Sequence, residues 1–307
     1  MDIRFPDSLF NFSGNQHKLK YEIDNGKEIC KTKKILFCGI IRDAATNLER
    51  NILRYKRCVE PFKESKLFLY ENDSKDKTLD ILKKYKSDDV DYISESRKDS
   101  TYIENVGKQK DPFHFYRCQV LSECRNKYMS LIQEREWNKY YDYICMVDMD
   151  IVGGWSYDGF YHSIYMLDNI PDSACMSAYG VLADYTQRLK LEQTNSKNYI
   201  FFDSFAFRPI NNNPKIHKLQ TSMFNPINFC RGEEIEEVIS NFNGLAIYKS
   251  EYFTKDKQYK TNQWHEGYVD SEHIFFHQQI REQGGKIFLN PNLIVSYSKH
   301  KHCEDQV

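Results

Sequence analysis

Between Lys34 and Ser94 the chain alternates short apolar runs with stretches of helical spacing, and this alternation leaves few folds open. KILFCGII (Lys34 to Ile41), KLFLY (Lys66 to Tyr70) and the run from Val90 to Ser94 read as buried strands. Leu48, Ile52, Leu53 and Val59 recur at helical spacing between the first two, and Leu79, Leu82 and Tyr85 between the second pair. Thr46 with Glu49 three residues on is the expected capping box of the first of these helices. Strands joined through helices run parallel with right-handed crossovers. The chain is therefore expected to be α/β, with a doubly wound, mostly parallel sheet flanked by helices. The polar residues 1–33 ahead of it are expected to form an irregular arm.

The stretch YDYICMVDMDIVGGW, residues 141–155, adds chemistry to that frame. Tyr143 to Val147 is a further buried-strand run, preceded by an expected long helix over Phe113 to Glu134. It stops at two carboxylates one residue apart, Asp148 and Asp150, with Gly153 and Gly154 just beyond. Acids at the end of a buried strand are costly unless something pairs with them. Ligands of open α/β sheets bind beyond the carboxyl ends of the strands. Oxygens spaced in this way converge on a hard divalent cation. For an isolated D-x-D a solvated turn is the better reading, because the motif is short, so the surroundings decide. Arg42-Asp43 follows the first strand, Glu71-Asn72-Asp73 the second, and Arg125-Asn126 lies on the long helix. Each alone is ordinary, since strand-end acids are usually caps or turn formers. Together they line one edge of the expected sheet.

Beyond residue 155 the pattern changes. Apolar pieces at Ala174 to Tyr179, Tyr199 to Phe205 and Leu245 to Tyr248 are separated by polar stretches. Residues 208–230 hold three prolines and five asparagines, which is loop chemistry. A helix is expected over Asp270 to Gln283, ended by Gly284 and Gly285, followed by strands at Lys286 to Leu289 and Leu293 to Tyr297. With no repeat and no linker, 34–155 and 156–307 read as two halves of one domain.

Composition excludes some functions. The 43 basic and 44 acidic residues leave a net charge of −1, so no global basic field attracts nucleic acid. The nine cysteines form no paired C-x-x-C motif, which argues for free thiols in a reducing compartment over zinc or disulfides. The N-terminal residues lack the layout of a signal peptide, and no run approaches about 18 apolar residues. The expectation is a cytoplasmic protein without a membrane span, from a bacterial or viral source.

FLYENDSKDKTLDIL resembles the strand-turn-helix of nucleotide-sugar glycosyltransferases with the Rossmann-like GT-A fold. LSECRNKYMS and CMVDMDI resemble the Arg-Asn helix and the D-x-D strand of glycosyltransferase family 2. NFNGLAIYKSEYF and YVDSEHIFFHQQIREQGGKIFLNP resemble the mixed acceptor-binding half of that fold, with a fainter likeness to the capsule-associated mannosyltransferase-like family 69. The resemblance implies a glycosyltransferase, moving a sugar from a UDP- or GDP-sugar to a glycan or other hydroxyl acceptor with Mn²⁺ or Mg²⁺. It implies metal binding by Asp148, Asp150 and a C-terminal histidine, His300 or His302. Arg42, Asp43, Glu71, Arg125 and Asp148 would face the nucleotide. Glu272, with Asp270 second, would be the base of an inverting reaction. Asn243, Gly244, Trp264 and His265 would line the acceptor site. Two departures stand out: Glu71-Asn72 replaces an aspartate pair, and Asp270-Ser-Glu272-His273 replaces a Glu-Asp pair. Two other classes compete. A sugar-nucleotide pyrophosphorylase needs a Gly-rich basic loop that GIIRDAATN lacks. A non-catalytic carbohydrate- or nucleotide-binding protein on the same fold would not need Asp148, Asp150, Arg125 and Glu272 all in place.

Overall fold

The structure is a computed structural model that describes residues 3–97, 115–183, 199–210, 229–262 and 269–298. In chain order it runs α1 (Gln16–Cys30), β1 (Lys34–Ile41), α2 (Ala45–Val59), β2 (Glu64–Asn72), α3 (Thr78–Tyr85) and β3 (Val90–Glu95). Next come α4 (Phe115–Glu134), α5 (Trp137–Tyr140), β4 (Tyr143–Val147), β5 (Gly154–Trp155), α6 (Tyr157–Asn169) and β6 (Ser173–Ala183). The last part holds β7 (Tyr199–Phe201), β8 (Arg208–Pro209), β9 (Glu236–Ser240), β10 (Leu245–Lys249), α7 (Glu272–Glu282) and β11 (Lys286–Ser296).

One sheet carries both halves, in the order β3-β2-β1-β4-β10-β6-β11-β9-β8, with β5 on β11 and β7 on β6. The first four strands are parallel, as the strand-helix alternation requires. β10 is antiparallel to both β4 and β6, and β11 is parallel to β6 but antiparallel to β9. The expected α/β class holds, with a parallel half and a mixed half. Alternate residues of each central strand enter opposite cores. Ile35, Phe37, Cys145 and Val147 join α2 and α6 on one face. Leu36, Cys38, Ile144 and Met146 join α4 and α7 on the other. Both faces are covered, so β1 and β4 read as unbroken apolar runs. The eight described cysteines are all free thiols.

Several local expectations are corrected. The stretch expected to be irregular holds a helix: α1 follows its cap Asn15, whose side chain accepts from the N–H groups of His17 and Lys18. The helix buries only Leu19, Glu22, Ile23, Gly26 and Cys30, a stripe too thin to stand out in a polar stretch. It packs on α6, where a Cβ at Gly26 would lie 2.0 Å from the carbonyl oxygen of Tyr161. Gly26→Ala is therefore expected to cost about 1–3 kcal/mol in chemical denaturation, as overpacking does; an unchanged midpoint would mean that α1 is not docked there.

The Thr46 capping box is not what starts α2. The helix begins at Ala45, and its free N–H groups are satisfied from the next turn. Thr78 Oγ1 accepts from Ala44 at 2.8 Å, and Asp76 accepts from Ala45 at 2.9 Å. The two strands expected at the C-terminal end are one, β11, with an irregular register between Asn290 and Ile294. The polar Asn-Pro-Asn that interrupts the apolar run is buried, and Asn290 donates to Ser163 Oγ at 2.8 Å.

Candidate functional site

The acid pair lies at the carboxyl end of β4, in the middle of the sheet, where the parallel half meets antiparallel β10. β4 ends at Val147 and the chain turns at Met149–Asp150, with Met149 and Ile151 fully buried in the core. Asp150 is exposed and Asp148 half-buried. The backbone here is held from α2. Asn51 is fully buried and donates to the carbonyls of Met149 (2.9 Å) and Ile151 (2.8 Å). Asn47 donates to the carbonyl of Asp150 at 3.0 Å. Arg54 fixes the Asn51 amide by donating to its Oδ1 at 2.8 Å, and its guanidinium fills the place a Cβ on Gly154 would need. From β10's side, Asp148 N–H donates to the carbonyl of Gly244 at 2.8 Å.

Arg125, on α4, stands between the halves. Its Nε donates to Glu272 Oε1 at 2.8 Å and its Nη2 is 3.6 Å from Asp148 Oδ1. The guanidinium is buried, with its centre 5.1 Å from the Phe242 ring and 5.7 Å from the Tyr259 ring. One cation thus joins the D-x-D strand to the start of α7. Burial pushes the Asp148 pKa up to about 7, Asp150, Asp203 and Glu272 adding to the effect and Arg125 opposing it.

A raised carboxyl has a signed consequence for stability. Between the ordinary value of 3.8 and about 7, folded Asp148 holds a proton that the unfolded chain has lost. Its contribution is full below that window and is lost as pH rises through it. Asp148→Asn is expected to leave metal-free stability nearly unchanged at about pH 3, below that window. At pH 8 it should raise stability by about 2 kcal/mol, a figure reduced for partial exposure. Equal effects at both pH values in denaturant titrations would refute the shift.

The other expected residues are placed as follows. Asp270, at the start of α7, has Oδ1 3.0 Å from Arg208 Nη2. Arg208 also donates to the carbonyls of Phe205 and Phe207. Glu272 and Asp270 are therefore both arginine-paired, and they are only 3% and 5% exposed. Arg42 and Asp43 sit together at the rim, 3.7 Å apart, and Asp43 Oδ1 accepts from Lys75 N–H. Glu71 is buried and accepts from Ser74 N–H and Ser94 Oγ, shaping the turn after β2. Asn243 and Gly244 are buried beneath the site with left-handed backbones, and a Cβ on Gly244 would meet Tyr297 Oη at 2.2 Å. Trp264, His265, His300 and His302 lie outside the described residues. Among the described residues no three His, Cys, Asp or Glu side chains converge on one metal position. Asp148 and Asp150 nevertheless supply the all-oxygen character that suits Mn²⁺ or Mg²⁺.

Sequence reasoning missed two residues of this cleft. Asp203, after β7, is half-buried with φ +57°, and burial, with the charge of Glu272 adding to it, raises its pKa to about 7. Tyr297, after β11, feels the charges of Asp148, Asp203, Asp150 and Arg125, and its ring lies 4.0 Å from that of Phe202. A lone aspartate in the aromatic run FFDSFAF was the only available signal.

Strand order and pairing are those of an α/β chain with a parallel half and a mixed half, and the acid pair stands at the end of the last strand of the parallel half. No family model and no curated protein matches the chain. Among solved structures it is similar to GalNAc-T7 with UDP, GalNAc and Mn²⁺ (TM-score 0.45, 11% identity, 94% of this chain and 53% of that one). It is similar to S. aureus TarS 1-349 with UDP-GlcNAc (0.47, 10%, 89% and 61%). It is also similar to a mannosyltransferase from Pyrobaculum calidifontis with GDP-Man and Mn²⁺ (0.45, 9%, 93% and 68%). The chain spans just over half of the first of these and about three-fifths of the second. At such scores and identities no substrate, metal or activity passes from them to this chain. No described helix is long and apolar enough to cross a membrane.

Proposed function

We propose that the protein is a metal-dependent glycosyltransferase that moves a sugar from a UDP- or GDP-sugar to the hydroxyl of a glycan or other acceptor. The observation that carries this reading is the presentation of Asp148 and Asp150. Both are turned out of the sheet at its centre, and three asparagine hydrogen bonds from α2 hold the backbone behind them. That rigidity suits ligands for a divalent cation on a diphosphate. The cation, when bound, acts as a Lewis acid on the leaving phosphate. Asp150 is the direct ligand and Asp148 its partner toward the ribose, with His300 as a further ligand. Arg42 and Asp43 lie at the rim where the nucleotide enters, and Glu71 holds the turn that shapes its pocket. Arg125 braces Asp148 from behind. Asn243 and Gly244 support the acceptor wall, and Trp264 and His265 are assigned to acceptor contact.

Glu272 and Asp270 remain tied to this reaction through their arginines. Each buried ion pair fixes one side of the cleft. Isothermal titration with UDP and GDP, with and without Mn²⁺, tests the proposal. Metal-dependent binding of one of the two is expected. A protein that binds neither nucleotide with Mn²⁺ present is not a transferase of this kind.

A further inference from the structure

Phe202, after β7, and Tyr297, after β11, form an aromatic pair in the mixed half of the sheet. Their ring centroids are 4.0 Å apart, with the planes at 37°. Both hang from the end of β6. Phe202 N–H donates to the carbonyl of Gly180 and Tyr297 N–H to that of Val181, each at 2.9 Å. Their neighbours Phe201, Ser296 and Ser298 are buried, whereas Phe202 and Tyr297 stay partly exposed. The rings are thus fixed by backbone and by each other, yet neither is withdrawn into the core.

The pair stands beside the acid pair of β4. A Cβ on Gly244 would lie 2.2 Å from Tyr297 Oη and 3.4 Å from Ile151 Cδ1, so the hydroxyl sits over this glycine next to the D-x-D turn. The carbonyl of the same glycine accepts from Asp148 N–H at 2.8 Å. A tyrosine hydroxyl set inside a fold usually has a partner. Among the described residues this one bonds no protein group, which leaves it to a ligand. Charge narrows what that ligand is. Among the described residues both arginines of the cleft are taken, Arg125 by Asp148 and Glu272 and Arg208 by Asp270. Asp150 and Asp203 add two more carboxyl groups. A phosphate- or carboxylate-bearing acceptor meets acids there and no unpaired cation. A neutral sugar ring suits the same surroundings: its C–H face packs on an aromatic ring, and its hydroxyls both accept from tyrosine and donate to carboxylates.

We propose that Phe202 and Tyr297 form a subsite for a neutral sugar ring of the acceptor, the Phe202 ring packing on its C–H face and the Tyr297 hydroxyl bonding one of its hydroxyls. The acceptor is then a neutral glycan and not an anionic lipid or polymer. Its role as acceptor rests on the glycosyltransferase reading above, and sugar binding at the two rings is measured apart from nucleotide binding.

The test uses the full chain, a panel of methyl α- and β-glycosides of neutral hexoses and N-acetylhexosamines, and glycerol 3-phosphate as the anionic probe. Saturation-transfer NMR titrations read these ligands with and without Mn²⁺ and UDP or GDP, and calorimetry reads the nucleotides. At least one glycoside is expected to bind the wild type, and glycerol 3-phosphate is not. Phe202→Ala is expected to weaken that glycoside by about 10-fold. Phe202→Tyr keeps the ring and is expected to restore most of the loss. Tyr297→Phe keeps its ring too and is expected to lose about 3- to 10-fold, the share of one hydrogen bond. Metal-dependent nucleotide affinity is expected to hold in all three, which a general loss of structure would not allow. If Phe202→Ala fails to fold, Phe202→Leu, which fills the space without an aromatic face, goes through the same titration. A wild type that binds no glycoside overturns the proposal. So does glycoside affinity unchanged in the folded Phe202 variant, or a preference for glycerol 3-phosphate. A wild type that binds a glycoside through these rings but neither UDP nor GDP keeps the sugar subsite and loses the transferase reading. One that binds nucleotide with Mn²⁺ but no glycoside does the reverse.

Discussion

Asp150→Ala is expected to abolish Mn²⁺-dependent turnover of sugar nucleotides, by about 10³-fold or more, while the protein stays folded. The two halves of this expectation have separate physical grounds. Asp150 is exposed, and among the described residues its side chain makes no hydrogen bond or ion pair. It is the backbone carbonyl that Asn47 holds. Removing an exposed side chain of this kind changes stability by about 0.5 kcal/mol or less. A carboxylate that places a metal on a leaving diphosphate contributes several kcal/mol of charge stabilisation in the transition state, and each 1.36 kcal/mol is about tenfold in rate. The measurement is donor turnover over a Mn²⁺ titration, beside a thermal melt. Wild-type-like turnover in a folded Asp150→Ala protein removes the metal assignment.

The second large effect belongs to stability. Arg125 is 5% exposed on its side chain and faces Asp148 and Glu272 at once. Replacing it by methionine leaves two acids without their cation, one of them buried. Breaking a buried pair from one side typically costs about 3–5 kcal/mol, since an uncompensated charge stays behind. Arg125→Met is therefore expected to lose about that much in guanidinium denaturation. Adding Glu272→Gln removes the stranded charge. The double variant is expected to be more stable than the sum of the two single losses by more than about 1 kcal/mol. Strict additivity would show that Arg125 and Glu272 do not act as a pair. Arg125→Lys keeps the charge but not the planar fork that serves two acids, so a loss between those of wild type and Arg125→Met is expected.

Much of the parallel half was legible in the sequence. The first and fourth strands begin and end where the apolar runs do, at Lys34–Ile41 and Tyr143–Val147. A strand buried on both faces writes itself as a continuous apolar stretch. The second α helix of that half was equally plain at Thr78–Tyr85. Segments that bury a thin stripe were not legible. α1 shows the chain mostly polar residues, and α6 hides Ser163 and His162 in its packed face, where Asn290 meets both. The start of α2 was misplaced because its caps, Thr78 and Asp76, come from a different turn. No local window holds that information.

The sequence by itself determined the α/β class, the parallel order of the first strands and the position of Asp148 and Asp150 at a strand end. Those features follow from local periodicity and from where apolar residues stop. The tertiary structure alone decided what faces that strand end. It brought Arg125 between Asp148 and Glu272, which are 124 residues apart in the chain. It closed Asp270 against Arg208, and it set Asp203 and Tyr297 into the same cleft. The physical reason is that a carboxylate's chemistry depends on burial and on the charges beside it, and both are set by residues distant in sequence.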